Sequence, residues 1–561
     1  DSYITSKNYK EALNLLEGRK SFENKVAYQK VAFYRGVELY NVSQYLEAES
    51  YFDKSIAEPR DEKFLARAIF WKAETDYNLT NYDDALVGFK QFQGSSQSSG
   101  TPEIKNIDYN LGYTYFKQKS YSKATEHFQK YISNTSEDKL RINDAFLRLG
   151  DGHFVSSDYN KAINAYERAI KMNQIEPDYA FFQKAISYGY IGQGSTKIKE
   201  LEEFITTYKR SPLRDDALYE LGNSYVKKGD EDRAMQLYDQ LNKEYRSSPY
   251  TSKSLLRQGL VYYNAGKNED ALSKFKNVAN NYPGSPEGMQ AVSSARLIYI
   301  DLGRVDEYAR WVKDLDYVNV SDADLDNTTY ESSEKQYLAG DTSKAIRLFN
   351  GYLNEFPNGL HALKSHFYLA QLYYKDDLQT NAAPHYEYVV NKSSGEFTEL
   401  ALTRLGEIYL NEKDVTRAMP ILERLENEAD FPQNVVFAQS NLMKVHYQLQ
   451  DYNQAVAYAE KVLASSRTDK NVKSDAHVII ARSAMKTGDE SKAKSAYAQV
   501  ERIASGELAA EALYYNAYFK NQEGQYKSSN TVVQKLAKDY SGYKLYGAKG
   551  LVIMAKNFYA L

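Results

Sequence analysis

The sequence has no cysteine and little proline or tryptophan, with 11 prolines and 2 tryptophans in 561 residues. Without cysteine the chain has no disulfide, no zinc–thiolate site and no thiol catalysis. No apolar run approaches the roughly 20 residues that a membrane-spanning helix needs. Neither sign of charge dominates, because 71 Lys and Arg stand against 75 Asp and Glu, for a net charge of -4. That balance argues against a dedicated surface for nucleic acid or anionic membranes.

Tyrosine, in contrast, is abundant, with 52 residues, and 42% of the chain is hydrophobic, which is enough for a continuous buried seam. One pattern occurs twice between Asp216 and Pro286. Its positions Gly222, Tyr225, Gly229, Ala234 and Tyr238 recur 37 residues later as Gly259, Tyr262, Gly266, Ala271 and Phe275. Each copy has two amphipathic segments separated by a glycine-containing turn, which predicts a helix–turn–helix repeat.

A small residue early in the second helix, which we call the marker residue, follows this repeat along the chain. At gaps of 36 to 39 residues, or double that, it is Ala12, Ala48, Ala85, Ala124, Ala162, Ala234, Ala271, Ala345, Ala382, Ala418, Ala455 and Ala493. In units that have drifted we place the marker at Ile198, Tyr308 and Ser528. A large apolar residue follows four positions later in most units, as Phe52 and Tyr238 do. It lies on the same helix face, which predicts the inward-packing side.

The first helix and the turn carry small and polar residues at constant phases. Glycine recurs in the first helix at Gly112, Gly150, Gly222 and Gly406. Because glycine inside a helix costs about 1 kcal/mol relative to alanine, its recurrence predicts a close helix–helix contact. At the turn, the predicted N-caps of the second helix are Asn81, Ser120, Asp158, Asp230, Asp341, Asp451 and Asp489.

This phase of Leu-Gly and Tyr in helix A, with Ala and an aromatic residue in helix B, resembles the tetratricopeptide repeat over nearly the whole chain. The resemblance implies an all-α fold, a right-handed α-solenoid of about fourteen helix–turn–helix units. Units of 36–39 residues exceed the usual length of about 34. The extra length follows helix B, in Tyr245–Pro249, Tyr282–Pro286 and Phe356–Pro357. These linkers are similar to those of bacterial envelope members, such as outer-membrane assembly lipoproteins and the Tol-Pal-associated periplasmic protein.

Two stretches interrupt the repeat. Residues 93–101 (QGSSQSSGT) are rich in Ser and Gly, and we interpret them as a mobile excursion. Residues 314–328 are predicted to form an irregular acidic joint between an N-terminal array at 1–313 and a C-terminal array at 329–561. The two ends look like incomplete units, so we expect the chain to be cut from a longer protein that carries an export signal.

Three features could suggest a ligand or metal site, but the residues do not support one. Gly189–Lys197 resembles a phosphate-binding loop, but no strand precedes it, which favours a turn between helices. The alternating aspartates of 322–326 lack the glycine and glutamate of a calcium loop, which favours a solvated acidic linker that caps the next helix. The seven histidines lack metal-ligand spacing. Once the repeats are assigned, no segment of domain size is left for an active site, so no enzymatic activity, cofactor or metal is predicted.

Aromatic residues at two phases of helix A form the candidate binding surface. The upper position, eight residues before the marker, holds Tyr40, Tyr77, Phe116, Phe154, Tyr263, Tyr337, Tyr374 and Tyr447. The lower position, seven residues further back, holds Phe33, Phe70, Tyr109, Tyr219, Tyr330 and Phe367. Positions seven apart share a helix face. The rings either pack neighbouring units together or bind an extended peptide or partner helix. The family's helix A lines the concave surface, which implies the second role. Its Lys/Asn carboxylate clamp is not reproduced, because Tyr219 replaces a lysine near Asn223.

The sequence therefore predicts a non-enzymatic scaffold that binds a protein or an extended peptide, with no nucleic-acid partner. The resemblance to envelope members implies a periplasmic part of an outer-membrane assembly or secretion complex, with a possible lipid anchor outside this chain. Two alternatives stay open. One is the targeting or substrate-binding half of a cell-wall enzyme whose catalytic domain lies elsewhere, and the other is a cytosolic peptide-sensing regulator.

Overall fold

The computed structural model describes residues 7–561, and this part of the chain contains thirty α-helices, two short 3-10 helices and no strand. The first sixteen α-helices are α1 (Tyr9–Leu16), α2 (Phe22–Asn41), α3 (Tyr45–Ala57), α4 (Glu62–Asn78), α5 (Tyr82–Gly94), α6 (Ile107–Lys117), α7 (Tyr121–Asn134), α8 (Lys139–Val155), α9 (Tyr159–Met172), α10 (Pro177–Tyr190), α11 (Gly194–Thr207), α12 (Arg214–Lys228), α13 (Glu231–Glu244), α14 (Tyr250–Asn264), α15 (Asn268–Asn281) and α16 (Pro286–Leu302). The others are α17 (Val305–Lys313), α18 (Asp322–Leu338), α19 (Thr342–Glu355), α20 (Ala362–Lys375), α21 (Gln379–Val390), α22 (Thr398–Asn411), α23 (Val415–Glu428), α24 (Pro432–Gln448), α25 (Tyr452–Ala464), α26 (Lys470–Thr487), α27 (Glu490–Ile503), α28 (Gly506–Gln522), α29 (Tyr526–Asp539) and α30 (Lys544–Ala560). The predicted all-α array of helix–turn–helix units is confirmed.

Helices α2–α29 form fourteen helix A–helix B pairs, and every pair turns in the same way. One residue, five positions before the marker, takes a left-handed backbone conformation with φ between +58° and +85°. These residues are Ser43, Thr80, Lys119, Ser157, Gly192, Gly229, Gly266, Gly303, Gly340, Asp377, Lys413, Gln450, Gly488 and Gly524. Half of them are glycine, which has no Cβ to clash in this conformation.

The common turn corrects the marker in two drifted pairs. It places the marker at Lys197 and at Ser529, one residue away from the predicted Ile198 and Ser528. Ser529 is fully buried, and its hydroxyl donates a hydrogen bond to Ala517 O at 2.7 Å. Lys197 is much longer than the alanine found at most markers, and Gly189 on helix A leaves room for it. A Cβ added at Gly189 would lie 2.9 Å from Lys197 Cδ. Gly189–Lys197 therefore contains the turn between α10 and α11, at residues 191–193, as predicted.

Close contact between the two helices of a pair occurs at the glycines of helix A, as predicted. A Cβ added at Gly222 would lie 2.5 Å from the ring of Tyr238, and one added at Gly150 would lie 2.5 Å from the ring of Tyr166. Both tyrosines are buried, four residues after their marker alanines. The gap that glycine leaves is thus filled by an aromatic ring from the partner helix.

The predicted N-caps divide into two groups. The side chains of Asp230, Asp341, Asp451 and Asp489 accept a hydrogen bond from a backbone N–H three residues later, at 3.0 to 3.3 Å. The prediction is wrong for Asn81, Ser120 and Asp158, which occupy the N-cap but accept no such bond. Their backbone ψ is 56° to 65°, against 75° to 78° in the capped helices. Their second helices begin without side-chain capping.

The chain divides into two compact units, Asp1–Ser294 and Ala295–Leu561, and the division falls within α16. In the predicted joint at 314–328, residues 314–321 are not helical, whereas α18 begins at Asp322. It begins there because Ser321 and Asp324 form a capping box. Asp324 N donates to Ser321 Oγ at 3.2 Å, and Ser321 N donates to Asp324 Oδ2 at 2.9 Å. Among the thirty helices, none is both long and apolar enough to cross a membrane.

Residues 93–101, expected to be a mobile excursion, contain the end of α5 and a 3-10 helix, and the insertion continues to residue 106. The 3-10 helices Ser98–Gly100 and Pro102–Asn106 lie between α5 and α6. Ser98, Thr101 and Glu103 are buried. The two hydroxyls satisfy local backbone carbonyls, with Thr101 Oγ1 donating to Ser98 O at 2.7 Å. The insertion is packed against the array and brings Glu103 to helix α4.

Candidate functional site

The fourteen predicted aromatic residues differ in burial according to their position on helix A. Four residues of the lower position are buried, and these are Phe33, Phe70, Tyr330 and Phe367. The other two, Tyr109 and Tyr219, are half-buried. All eight residues of the upper position are half-buried. The lower position therefore contributes mainly to packing, and the upper position leaves ring surface accessible.

Five of the eight accessible rings also pack against helix B on one side. In five pairs the ring of the upper position lies against a tyrosine that begins helix B, with centroids 5.3 to 5.8 Å apart. These contacts are Tyr40–Tyr45, Tyr77–Tyr82, Phe116–Tyr121, Phe154–Tyr159 and Tyr447–Tyr452. The edge-on geometry fixes the ring orientation, so a ligand would meet rings that are already positioned.

Four of the predicted residues line one cavity of about 600 Å³ in the first unit, which we call the aromatic cavity. They are Tyr40 of α2, Phe70 and Tyr77 of α4, and Tyr109 of α6. The remaining lining residues are Arg67, Trp71, Glu74, Phe89, Pro102, Glu103, Asn106, Asn110, Tyr113 and Arg141. The other ten predicted residues do not line it, and these are Phe33, Phe116, Phe154, Tyr219, Tyr263, Tyr330, Tyr337, Phe367, Tyr374 and Tyr447.

Two carboxylates face the aromatic cavity. Glu74 accepts a hydrogen bond from Tyr40 Oη at 3.2 Å. Burial in the cavity wall raises the pKa of Glu74 to about 7, and the hydrogen bond from Tyr40 opposes this only in part. Glu103 is 5% exposed, and its Oε1 accepts from Arg67 Nε at 2.9 Å and from Trp71 Nε1 at 3.0 Å. Its Oε2 is buried and has no hydrogen-bond partner among the described residues.

A polar network behind the cavity holds two of its rings. Asp144 of α8 accepts hydrogen bonds from Tyr109 Oη at 2.7 Å and from Tyr113 Oη at 2.5 Å. Arg148 in turn pairs with Asp144 at 3.4 Å and with Asp151 at 2.7 Å. Burial and the charge of Asp144 raise the pKa of both tyrosines, which therefore stay neutral donors. The network keeps the rings of α6 in place.

A second cavity, of about 740 Å³, lies beside the turn between α10 and α11 and contains none of the fourteen predicted residues. Lys197 and Asn223 line it. The Lys197 ammonium is already paired with Glu220 at 2.6 Å. Asn223 Oδ1 accepts a hydrogen bond from Tyr238 Oη at 2.8 Å, so it serves packing within its pair. Lys197 and Glu220, both in the cavity lining, therefore satisfy one another.

Sequence reasoning missed Trp71, Glu74 and Glu103. Trp71 and Glu74 lie on helix A at phases that the aromatic pattern did not cover, and Glu103 lies in the insertion. A signal for Glu103 was present, because the linker at 93–106 is the longest interruption between two well-matched units of the first array. An insertion beside a binding face is a common place for functional residues.

Comparison with known proteins identifies the repeat. Residues 216–248 and 253–285 match one tetratricopeptide repeat model, and residues 109–138 match a second. The first two matches cover the duplicated pattern around Gly222 and Gly259. The predicted resemblance to tetratricopeptide repeats is confirmed.

Individual relatives are distant. The TPR repeat-containing protein YpiA of Bacillus subtilis (strain 168) is 27% identical over 165 residues, which is 28% of this chain. The chain covers 36% of that relative's length. Among solved structures, MamA is 22% identical with a TM-score of 0.27, covering 30% of this chain and 92% of that one. YrrB, described as a TPR protein with an unusual peptide-binding site, is 18% identical with a TM-score of 0.30, covering 38% of this chain and 97% of that one. None of these likenesses assigns a partner to the present chain.

Proposed function

We propose that this tetratricopeptide repeat chain is a non-enzymatic scaffold that binds a protein or an extended peptide through its helix A aromatic residues. The observation that carries the proposal is the aromatic cavity. There, residues from α2, α4 and α6 converge with accessible ring surface and with a buried carboxylate oxygen that lacks a donor. Buried carboxylate oxygens usually accept a hydrogen bond, so Glu103 Oε2 can accept one from a ligand that enters the cavity.

The dimensions and chemistry of the cavity support a peptide side chain as the ligand. A volume of about 600 Å³ lies within the range of ligand pockets. Tyr40, Tyr77 and Tyr109 combine apolar area with hydroxyl groups, the combination that is enriched at binding hot spots. Their rings are fixed by neighbouring contacts, so little conformational entropy is lost on binding.

The cellular context is a finer part of the proposal. The linkers Tyr245–Pro249 and Tyr282–Pro286 are similar to those of envelope members of the family. We therefore propose a periplasmic location, with the chain acting in an outer-membrane assembly or secretion complex. Fractionation of the source cells tests this part separately, because recovery in the cytoplasmic fraction would contradict it.

Site-specific photocrosslinking in the source cells tests binding at the aromatic cavity. A benzoylphenylalanine at Tyr77 is expected to capture a protein or peptide, which mass spectrometry then identifies. The control places the same group at Val87 of α5, which is 65% exposed and lies outside the cavity. Equal capture at both positions, or none at Tyr77, would contradict the proposed site.

A further inference from the structure

Four helix A positions, each eleven residues before the marker, hold an acidic residue, and these are Glu74, Asp151, Glu334 and Glu407. Two of them have an arginine three residues earlier. Arg148 Nη1 lies 2.7 Å from Asp151 Oδ2, and Arg404 Nη1 lies 2.8 Å from Glu407 Oε2. Glu334 has Glu331 at that place and accepts a hydrogen bond from Tyr330 Oη at 2.6 Å. Glu74 has Trp71 there. The carboxylate at this helix A position therefore has different partners in different units.

Glu407 is the closest match to Glu74. In both cases the tyrosine of the preceding helix A donates to the carboxylate, Tyr374 to Glu407 at 2.7 Å and Tyr40 to Glu74 at 3.2 Å. The guanidinium of Arg404 pairs with Glu407 and lies 4.7 Å from the centroid of the Tyr374 ring. The equivalent place beside Tyr40 is taken by the indole of Trp71, with ring centroids 5.1 Å apart. The Tyr40–Glu74 site has the tyrosine and the carboxylate but no guanidinium.

The two arginines that line the aromatic cavity do not supply this missing charge. Arg67 donates to Glu103 Oε1 at 2.9 Å, and its guanidinium lies 4.6 Å from the centroid of the Phe33 ring. Arg141 pairs with Asp138 at 3.3 Å and acts on Glu74 without forming an ion pair with it. In the described chain, Glu74 has no ion-pair partner, and Glu103 Oε2 has no donor.

We propose that the aromatic cavity binds the guanidinium of an arginine side chain carried by the partner peptide. This inference rests on the proposed function and specifies its chemistry. The arginine would lie in the open part of the cavity, next to Tyr40 and Glu74. It would supply the positive charge that Arg404 supplies to Glu407, from a different position, because the Trp71 indole takes the place of Arg404. Its five N–H donors reach two carboxylates at once, and its planar face stacks on aromatic rings. Glu74 and Glu103 supply the carboxylates, and Tyr40 and Trp71 supply rings. A lysine ammonium is a compact charge without this planar shape.

The test uses the intrinsic fluorescence of Trp71. The chain has 2 tryptophans, and the other, Trp311, lies in the second unit, so Trp311→Phe leaves a single reporter in the cavity. The probes are blocked pentapeptides with a central arginine, citrulline, lysine or glutamate and alanine elsewhere. Citrulline has nearly the shape of arginine without its charge. We expect the arginine peptide to bind at least about tenfold more tightly than the citrulline peptide.

The affinities of the arginine and citrulline peptides for the protein with an unchanged cavity decide the inference. They do so even if a cavity variant fails to fold. Equal affinity for arginine and citrulline, or no saturable response to arginine, would overturn it. Glu74→Gln is expected to remove most of the preference for arginine, and Glu407→Gln, at the matched site of the second unit, is expected to retain it. A partner captured at Tyr77 without any preference for arginine would leave the proposed function standing and the arginine site refuted.

Discussion

Glu74 makes the free protein less stable at neutral pH. Burial raises the pKa of its carboxyl from 4.5 to about 7. The folded state therefore binds a proton at Glu74 more tightly than the unfolded state does. Its contribution to stability is fully present below pH 4.5 and is lost as the pH rises through about 7. A charge that weakens the fold and faces a cavity is typical of a functional residue.

Replacing Glu74 with glutamine tests this at the residue scale. Gln cannot ionise, so it avoids the loss of stability that the Glu74 carboxylate causes at high pH. The melting temperature of Glu74→Gln minus that of the parent should therefore be larger at pH 8 than at pH 5, by about 1 to 3 °C. Thermal unfolding followed by circular dichroism at both pH values measures it. Glu407→Gln is the control, because Arg404 pairs with that carboxylate at 2.8 Å. Its melting temperature should not rise above that of the parent at pH 8. A Glu74→Gln variant that is less stable at pH 8 would show that the carboxylate serves the fold.

The aromatic residues of the cavity could be predicted, whereas its carboxylates could not. Tyr40, Phe70, Tyr77 and Tyr109 recur at a constant phase, which one sequence displays. An acidic residue on helix A, such as Glu74, looks the same in sequence whether water, an arginine or a cavity lies beside it. Its surroundings come from a neighbouring helix A and from the insertion. Contacts made across 32 to 36 residues decide them, and periodicity carries no information about those contacts.

Each helix pair depends on a glycine facing an aromatic ring. The buried ring of Tyr238 lies against Gly222, and its hydroxyl donates to Asn223 at 2.8 Å, which limits how far it can move. Helix propensity alone favours alanine over glycine by about 1 kcal/mol. Overpacking of a filled core costs about 1 to 3 kcal/mol. At this position we expect packing to outweigh propensity.

The prediction at the element scale is that Gly222→Ala destabilises the protein, by about 1 to 2 kcal/mol. Gly351→Ala is the matched control, because Gly351 lies inside α19 and a Cβ added there meets nothing within 4 Å. The control should be neutral or more stable, since it gains helix propensity without a clash. Urea unfolding of both variants measures the difference. Similar behaviour of the two would mean that the glycine–aromatic contact is not tight.

In the whole molecule, stability is expected to be local. Buried clusters join successive helices, as in the cluster from Phe181 to Leu241, where α10–α13 share one core. The second unit has its own clusters, such as the one from Phe367 to Leu442. In a repeat array each unit contacts its neighbours, so a local defect is felt over a few helices.

Hydrogen exchange of the Gly222→Ala variant tests this at the scale of the molecule. Amide protection is expected to fall in α10–α15 and to stay as in the parent in α19–α25. Mass spectrometry of peptic fragments resolves the two regions. Uniform loss of protection across both would show that the array unfolds as one cooperative body.

The sequence by itself determined the all-α class, the position of nearly every helix pair and the residues that fill each pair. These properties follow from the 3.6-residue period of a helix and from the recurrence of a 36–39-residue unit, both of which lie along the chain. Tertiary structure alone decided which helix A residues share the aromatic cavity, and that Glu74 forms no ion pair among the described residues. It also showed that the Ser/Gly insertion brings Glu103 to Trp71, at 3.0 Å. Those results depend on how successive helices and one insertion pack, because a cavity is formed by residues that are distant in sequence.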